Sequence, residues 1–126
     1  MKYLVDTTLI IDHVAGKRAA TDLFRDLVRD GHQMFVCDVV VCESLSGGPD
    51  DQRAAVIALL AELEYFSTGT EAARWAGDGR RRRGRTSPRT LGDALIAGVA
   101  WVNGATIVTR NPDDFVAQGI PVLAYA

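Results

Sequence analysis

Short apolar runs recur along this chain, separated by longer amphipathic stretches, and that alternation restricts the fold more than any other feature. Residues 2–5 form an apolar run that passes straight into Asp6-Thr7-Thr8 and read as a first strand. Residues 34–37 read as a second strand, Tyr65-Phe66 as a brief third, residues 106–109 as a fourth and Val122-Leu123 as a fifth. Between them the spacing becomes helical. Residues 15–30 place Leu23, Phe24, Leu27 and Val28 on one face with Arg and Asp opposite, and Gly31 reads as the stop. Strands separated by helices require right-handed crossovers, which produce a parallel α/β sheet.

The segment Val39-Val40-Val41-Cys42 has strand propensity, because three of its residues are β-branched. Asp38 before it reads as an N-cap, however, and Gly47-Gly48-Pro49 after it is a breaker, so a short helix is expected. Asp50-Asp51 opens a further helix with Val56, Leu59, Leu60 and Leu63 on its apolar face, its acids matching the helix dipole. Residues 71–79 predict a helix that runs into a cluster of arginines. Residues 90–102 predict the best-defined helix, with Thr90 and Asp93 spaced as a capping box and Leu95, Ile96 and Val99 packed inward.

The length of 126 residues fits one domain, residues 1–126, with a single core. An acid at position 6 is too early for a signal peptide, and the apolar stretch 94–102 is too short to span a bilayer, so a cytoplasmic location away from membranes is expected. Cys37 and Cys42 are then expected to be reduced, buried and small. With only His13 and His32 beside them they make a poor zinc set. The net charge of −2 conceals an asymmetry, since Arg80, Arg81, Arg82, Arg83 and Arg85 fall close together. A polyanion-binding protein need not be basic throughout if its positive charge is local, although such a run is also ordinary for a solvated face.

Open α/β sheets place their sites at the carboxyl ends of the strands. Asp6 follows the first strand directly; Asp113 and Asp114 follow the fourth across a turn of Arg110, Asn111 and Pro112. Asp93 lies in the first turn of its helix, and Glu43 in the segment after the second strand. These acids from separate segments can meet at one edge of the sheet. Two carboxylates about 4 Å apart repel by roughly 4 kcal/mol at an effective dielectric near 20, so a cluster needs a cation or a shared proton. Oxygen donors without His or Cys prefer a hard ion, Mg²⁺ or Mn²⁺. Such an ion lowers the pKa of water and stabilises charge on a scissile phosphate, which is the chemistry of phosphodiester hydrolysis. Each acid also has a plainer role open to it, as a cap or a solvated helix residue.

Val5-Asp6-Thr7-Thr8, Glu43, Gly92-Asp93-Ala94-Leu95-Ile96-Ala97, and Thr109-Arg110-Asn111 with Asp114-Phe115 follow one another as the motifs of PIN-domain proteins do. Over essentially its whole length the chain resembles that family, and within it the VapC branch of toxic endoribonucleases. The resemblance implies a central parallel sheet of about five strands with helices on both faces. It implies an acidic pocket for Mg²⁺ or Mn²⁺ and selective cleavage of RNA. Asp6 and Asp93 match the principal metal ligands and Glu43 completes the pocket. The fourth position is filled by Asp114, favoured for its charge, or by Asn111. Thr7 or Thr109 would hold a water or a carboxylate oxygen. A homodimer and a small antitoxin partner are also implied, while the arginines from Arg80 to Arg85 are placed against RNA phosphates.

Other α/β proteins with acidic pockets fit less well. A receiver domain needs a lysine after a late strand, but the only lysines are Lys2 and Lys17. A haloacid-dehalogenase phosphatase needs an acid where Thr8 stands. Flap-type nucleases carry further elements for gripping DNA. The remaining alternative is a non-catalytic RNA- or protein-binding module on the same scaffold.

Overall fold

The computed structural model describes residues 1–126. Five strands, β1 (Lys2–Val5), β2 (Gln33–Cys37), β3 (Glu64–Phe66), β4 (Thr106–Thr109) and β5 (Val122–Ala124), form one sheet in the order β3-β2-β1-β4-β5, with every pairing parallel. Seven helices connect them: α1 (Thr7–Val14), α2 (Arg18–Arg29), α3 (Asp38–Ser46), α4 (Arg53–Glu62), α5 (Thr70–Arg82), α6 (Leu91–Asn103) and α7 (Asp113–Ala117). The strand order runs one way from β1 to β3 and the other way through β4 and β5. Right-handed crossovers therefore put α1–α4 on one face of the sheet and α5–α7 on the other. The direction reverses between β1 and β4, and their carboxyl ends border the crevice where such sheets carry their sites.

The strands are short, but their inward residues are fully enclosed. Leu4, Val5, Phe35, Ile107 and Val108 belong to one cluster with Leu9, Ile10, Ile96, Val99 and Phe115 from the helices. Burying an aliphatic or aromatic side chain of this size contributes about 1.5–3 kcal/mol, so these contacts supply most of what holds the layers together. Helices α5 and α6 approach closely at one point. A Cβ on Gly98 would sit 2.5 Å from the backbone oxygen of Ala72, so the contact exists only because position 98 has no side chain.

The structure departs from the sequence expectations in several local details. The helix expected over residues 15–30 is α2, and a further helix, α1, precedes it, because the chain after Asp6 turns directly into a helix. On α2 Phe24 and Leu27 are buried, whereas Val28 is 56% exposed. Asp38 does not cap α3; it is the first helical residue, and its carboxylate accepts from the backbone N–H of Thr68 at 3.0 Å and from the Thr68 hydroxyl. Thr90 and Asp93 do not form a capping box. Thr90 already has helical backbone angles, and its hydroxyl donates to the carbonyls of Ser87 (2.9 Å) and Arg85 (3.2 Å). Asp113 and Asp114 occupy the first turn of α7, with Pro112 at the cap position. Cys37 is buried as expected; Cys42 is exposed, since it borders an open groove between α3 and the start of α6. Leu95 is only half-buried and borders a surface groove. No helix is long and apolar enough to cross a membrane.

Candidate active site

Asp6 is the first residue beyond β1, and its backbone N–H continues the ladder by donating to Val108 at 3.0 Å. Its side chain is only 5% exposed. The Oδ2 atom accepts from Thr109 Oγ1 at 2.7 Å and from Thr8 Oγ1 at 3.2 Å. These two threonines also serve the opposite strand end. Thr8 Oγ1 accepts from the backbone N–H of Arg110 (3.1 Å), and Thr109 Oγ1 from that of Asn111 (3.0 Å). A ladder of hydroxyls thus fixes Asp6 to the turn between β4 and α7. Burial pushes the Asp6 carboxyl above its ordinary range, partly offset by the Thr109 and Thr8 hydroxyls and the backbone N–H of Thr7.

Glu43 reaches the site from the exposed side of α3, where Thr7 Oγ1 donates to its Oε1 at 2.9 Å. Asp93, in the first turn of α6, is half-buried. Its carboxyl is pushed up to about 7, first by burial and then by the charges of Asp6 and Asp114, a hydrogen bond with Asp114, and the charge of Glu43. Asp93 therefore feels three other carboxylates from three other segments. Asp114 stands in the first turn of α7, with Arg85 Nη1 at 3.8 Å from its Oδ1. A cleft of about 430 Å³ opens above, lined by Asp93, Arg110, Asn111, Pro112, Asp113 and Asp114. Asp6, buried behind the turn after β4, is not among its lining residues. Glu43 instead borders an adjoining groove of about 430 Å³ with Val39, Leu91, Gly92 and Leu95.

No three His, Cys, Asp or Glu side chains are gathered tightly enough to enclose a metal ion as they stand. The donor set nevertheless suits one. All four groups are carboxylates, burial and then the neighbouring charges raise the Asp93 carboxyl, and a divalent cation would offset those charges.

One buried group escaped the sequence reading. Asp12, 2% exposed on α1, accepts from Arg110 Nη1 at 2.9 Å on both of its oxygens and from the Tyr125 hydroxyl at 2.7 Å, with Lys17 Nζ at 3.2 Å. Burial alone would raise its carboxyl, but the Tyr125 hydroxyl, Lys17 and Arg110 hold it below the usual carboxylate range. An acid after the apolar run Leu9-Ile10-Ile11 was the only signal available for it.

The arginine run is not uniform. Arg80 is half-buried and ties down the following loop through Nη2 to the carbonyl of Ser87 at 2.9 Å. Arg83 Nε donates to the carbonyl of Gly79 at 3.4 Å. Arg81 and Arg82 are exposed at the end of α5, Arg82 lying back toward Gly79 beside Trp75 and Gln118, and Arg85 lies beside the acidic cleft.

The chain matches the PIN domain family over residues 3–119. It is 32% identical over 114 residues to Ribonuclease VapC19 of Mycobacterium tuberculosis strain H37Rv, covering 89% of this chain and 90% of that one. Ribonuclease VapC10 of the same strain is 35% identical over 109 residues, covering 86% and 81%. Among solved structures, DNA-bound VapBC from Salmonella typhimurium superposes with a TM-score of 0.79 at 25% identity over 98% of both chains. VapBC2 from Rickettsia felis, bound to a DNA fragment from its promoter, superposes at 0.80 over 100% of both, with 18% identity, and so bears on the fold alone.

Proposed function

This chain belongs to the PIN-domain family, and from that premise we propose that it is an endoribonuclease requiring Mg²⁺ or Mn²⁺, the toxin of a toxin–antitoxin pair. The observation that carries the reading is the electrostatic meeting of Asp6, Glu43, Asp93 and Asp114. Relatives that are ribonucleases and fold neighbours that are toxin–antitoxin complexes support it.

Asp6 and Asp93 would hold the ion, with Glu43 and Asp114 completing its surroundings and Asn111 at the cleft rim. When bound, such an ion provides a nucleophilic hydroxide at neutral pH and offsets the charge that develops on the phosphate. Thr109 and Thr8 fix the orientation of the Asp6 carboxylate, and Thr7 that of Glu43. Arg85, beside Asp114, and the exposed Arg81 and Arg82 would hold the flanking phosphates of an RNA strand. Arg83 and Arg80 support the same surface from behind. The antitoxin would present a cation to the acidic cleft, and two copies of the chain would form a homodimer.

Incubation of an RNA pool with the protein and Mn²⁺ tests the reading. Cleavage is expected with the ion, none with EDTA, and a loss of at least about 100-fold with Asp6→Ala or Asp93→Ala. RNA that is retained but never cut, with or without metal, would establish a binding module in place of an enzyme.

A further inference from the structure

Glu43 is the one acid of the cluster that arrives from the opposite face of the sheet, on α3, and it must cross to α6 to act with Asp93. The structure shows what makes room for it. A Cβ placed on Gly92 would stand 2.8 Å from Glu43 Oε2 and 3.5 Å from its Cδ, while the next nearest atom, Val39 Cγ1, lies at an ordinary 3.7 Å. The other carboxylate oxygen is held at 2.9 Å by Thr7 Oγ1. Glu43 is therefore held by one hydroxyl, and its other oxygen occupies the space that a side chain at position 92 would take.

Glycine is otherwise unfavourable at position 92. It lies within α6, and its backbone does not occupy the left-handed region where only glycine is comfortable. Alanine there would favour the helix and reduce the freedom of the unfolded chain. Only the Glu43 carboxylate would be disturbed, and it sits at the end of a flexible side chain that can swing away at little cost. Stability and function then call for different residues at one position.

We propose that Gly92 is a positioning residue for the catalytic site: its missing side chain is the seat that holds the Glu43 carboxylate beside Asp93. The inference rests on the metal-dependent reading above and adds to it a residue that touches neither ion nor substrate. It also separates two glycines of the same helix. Gly98 faces rigid backbone, so alanine there strains the fold, whereas Gly92 faces a movable carboxylate, so alanine there displaces function.

Gly92→Ala, measured in the wild-type and the Glu43→Ala backgrounds, tests this. Thermal melting in EDTA should show Gly92→Ala as stable as the wild type or more so. Calorimetric titration with Mn²⁺ should show affinity weakened roughly 10- to 100-fold, the range typical when a group surrounding the metal ligands is displaced. In the Glu43→Ala background the same substitution should leave Mn²⁺ affinity unchanged, since the displaced carboxylate is already gone. Equal Mn²⁺ affinity for Gly92→Ala and wild type would overturn the inference, as would the same loss in both backgrounds. Failure of Gly92→Ala to fold would overturn it too, because the carboxylate would then not be the only obstacle. If the wild type itself bound no Mn²⁺, the metal-dependent reading would fall, a result distinct from any of these.

Discussion

At the scale of single residues, the site is governed by carboxylates that the fold holds against their preference. The Asp93 carboxyl lies far above the value of 3.8 it has in an unfolded chain, at about 7. Its contribution to stability is therefore fully present below about pH 4 and is lost as the pH rises through about 7. Asp12 and Asp38 act in the opposite sense: their depressed carboxyls stabilise above the unfolded value and lose that effect in acid. Comparing Asp93→Asn with wild type cancels those common terms. In EDTA, the variant should melt at the same temperature as wild type near pH 4 and several degrees higher at pH 8. A difference that does not vary with pH would mean that Asp93 is not strained by its neighbours. Asp6 and Asp114 were legible as neighbours of one sheet edge because they follow β1 and β4 closely, whereas Glu43 and Asp93 sit on helices, where spacing from a strand says less. Asp12 was not, because the residues that explain it, Arg110 and Tyr125, lie 98 and 113 positions away.

At the scale of elements, strands were legible and caps were not. The runs Tyr3-Leu4-Val5 and Ile107-Val108 are apolar, short and bounded by polar residues, which leaves little choice but a buried parallel strand. Caps depend on backbone angles that letters do not carry: Thr90 has a suitable hydroxyl, yet spends it on the preceding loop. Helix α1 was missed because Asp6-Thr7-Thr8 looks like the end of a strand, while the apolar Leu9-Ile10-Ile11 conceals the helical period. The packing of α5 on α6 carries a prediction of its own. Gly98→Ala places a methyl against the Ala72 carbonyl, which cannot rotate away, so a loss of about 1–3 kcal/mol is expected in denaturant unfolding. An unchanged midpoint would show that the two helices separate freely.

At the scale of the whole molecule, two polar ties connect parts of the chain that are remote in sequence. Thr109 and Thr8 lock the ends of β4 and β1 together through Asp6, while Asp12 binds the turn after β4 and the segment after β5 to α1. Tyr125→Phe removes one charge-assisted hydrogen bond from a buried carboxylate and leaves the ring in place. It should cost about 1.5–3 kcal/mol at neutral pH and less in acid, where Asp12 is protonated in the unfolded chain. Equal stability of the two proteins at pH 7 would show that Lys17 and Arg110 satisfy Asp12 unaided.

The order in which the four acids occur has a consequence for the life of the chain on the ribosome. Strand β1 sits in the middle of the sheet, and its neighbour β4 is made only after β2 and β3. A nascent polypeptide carrying Asp6, Glu43 and even Asp93 still lacks the strand that clamps Asp6 and the turn that presents Asp114. On the proposed reading, the acidic site is complete only once nearly all of the sequence through α7 has emerged.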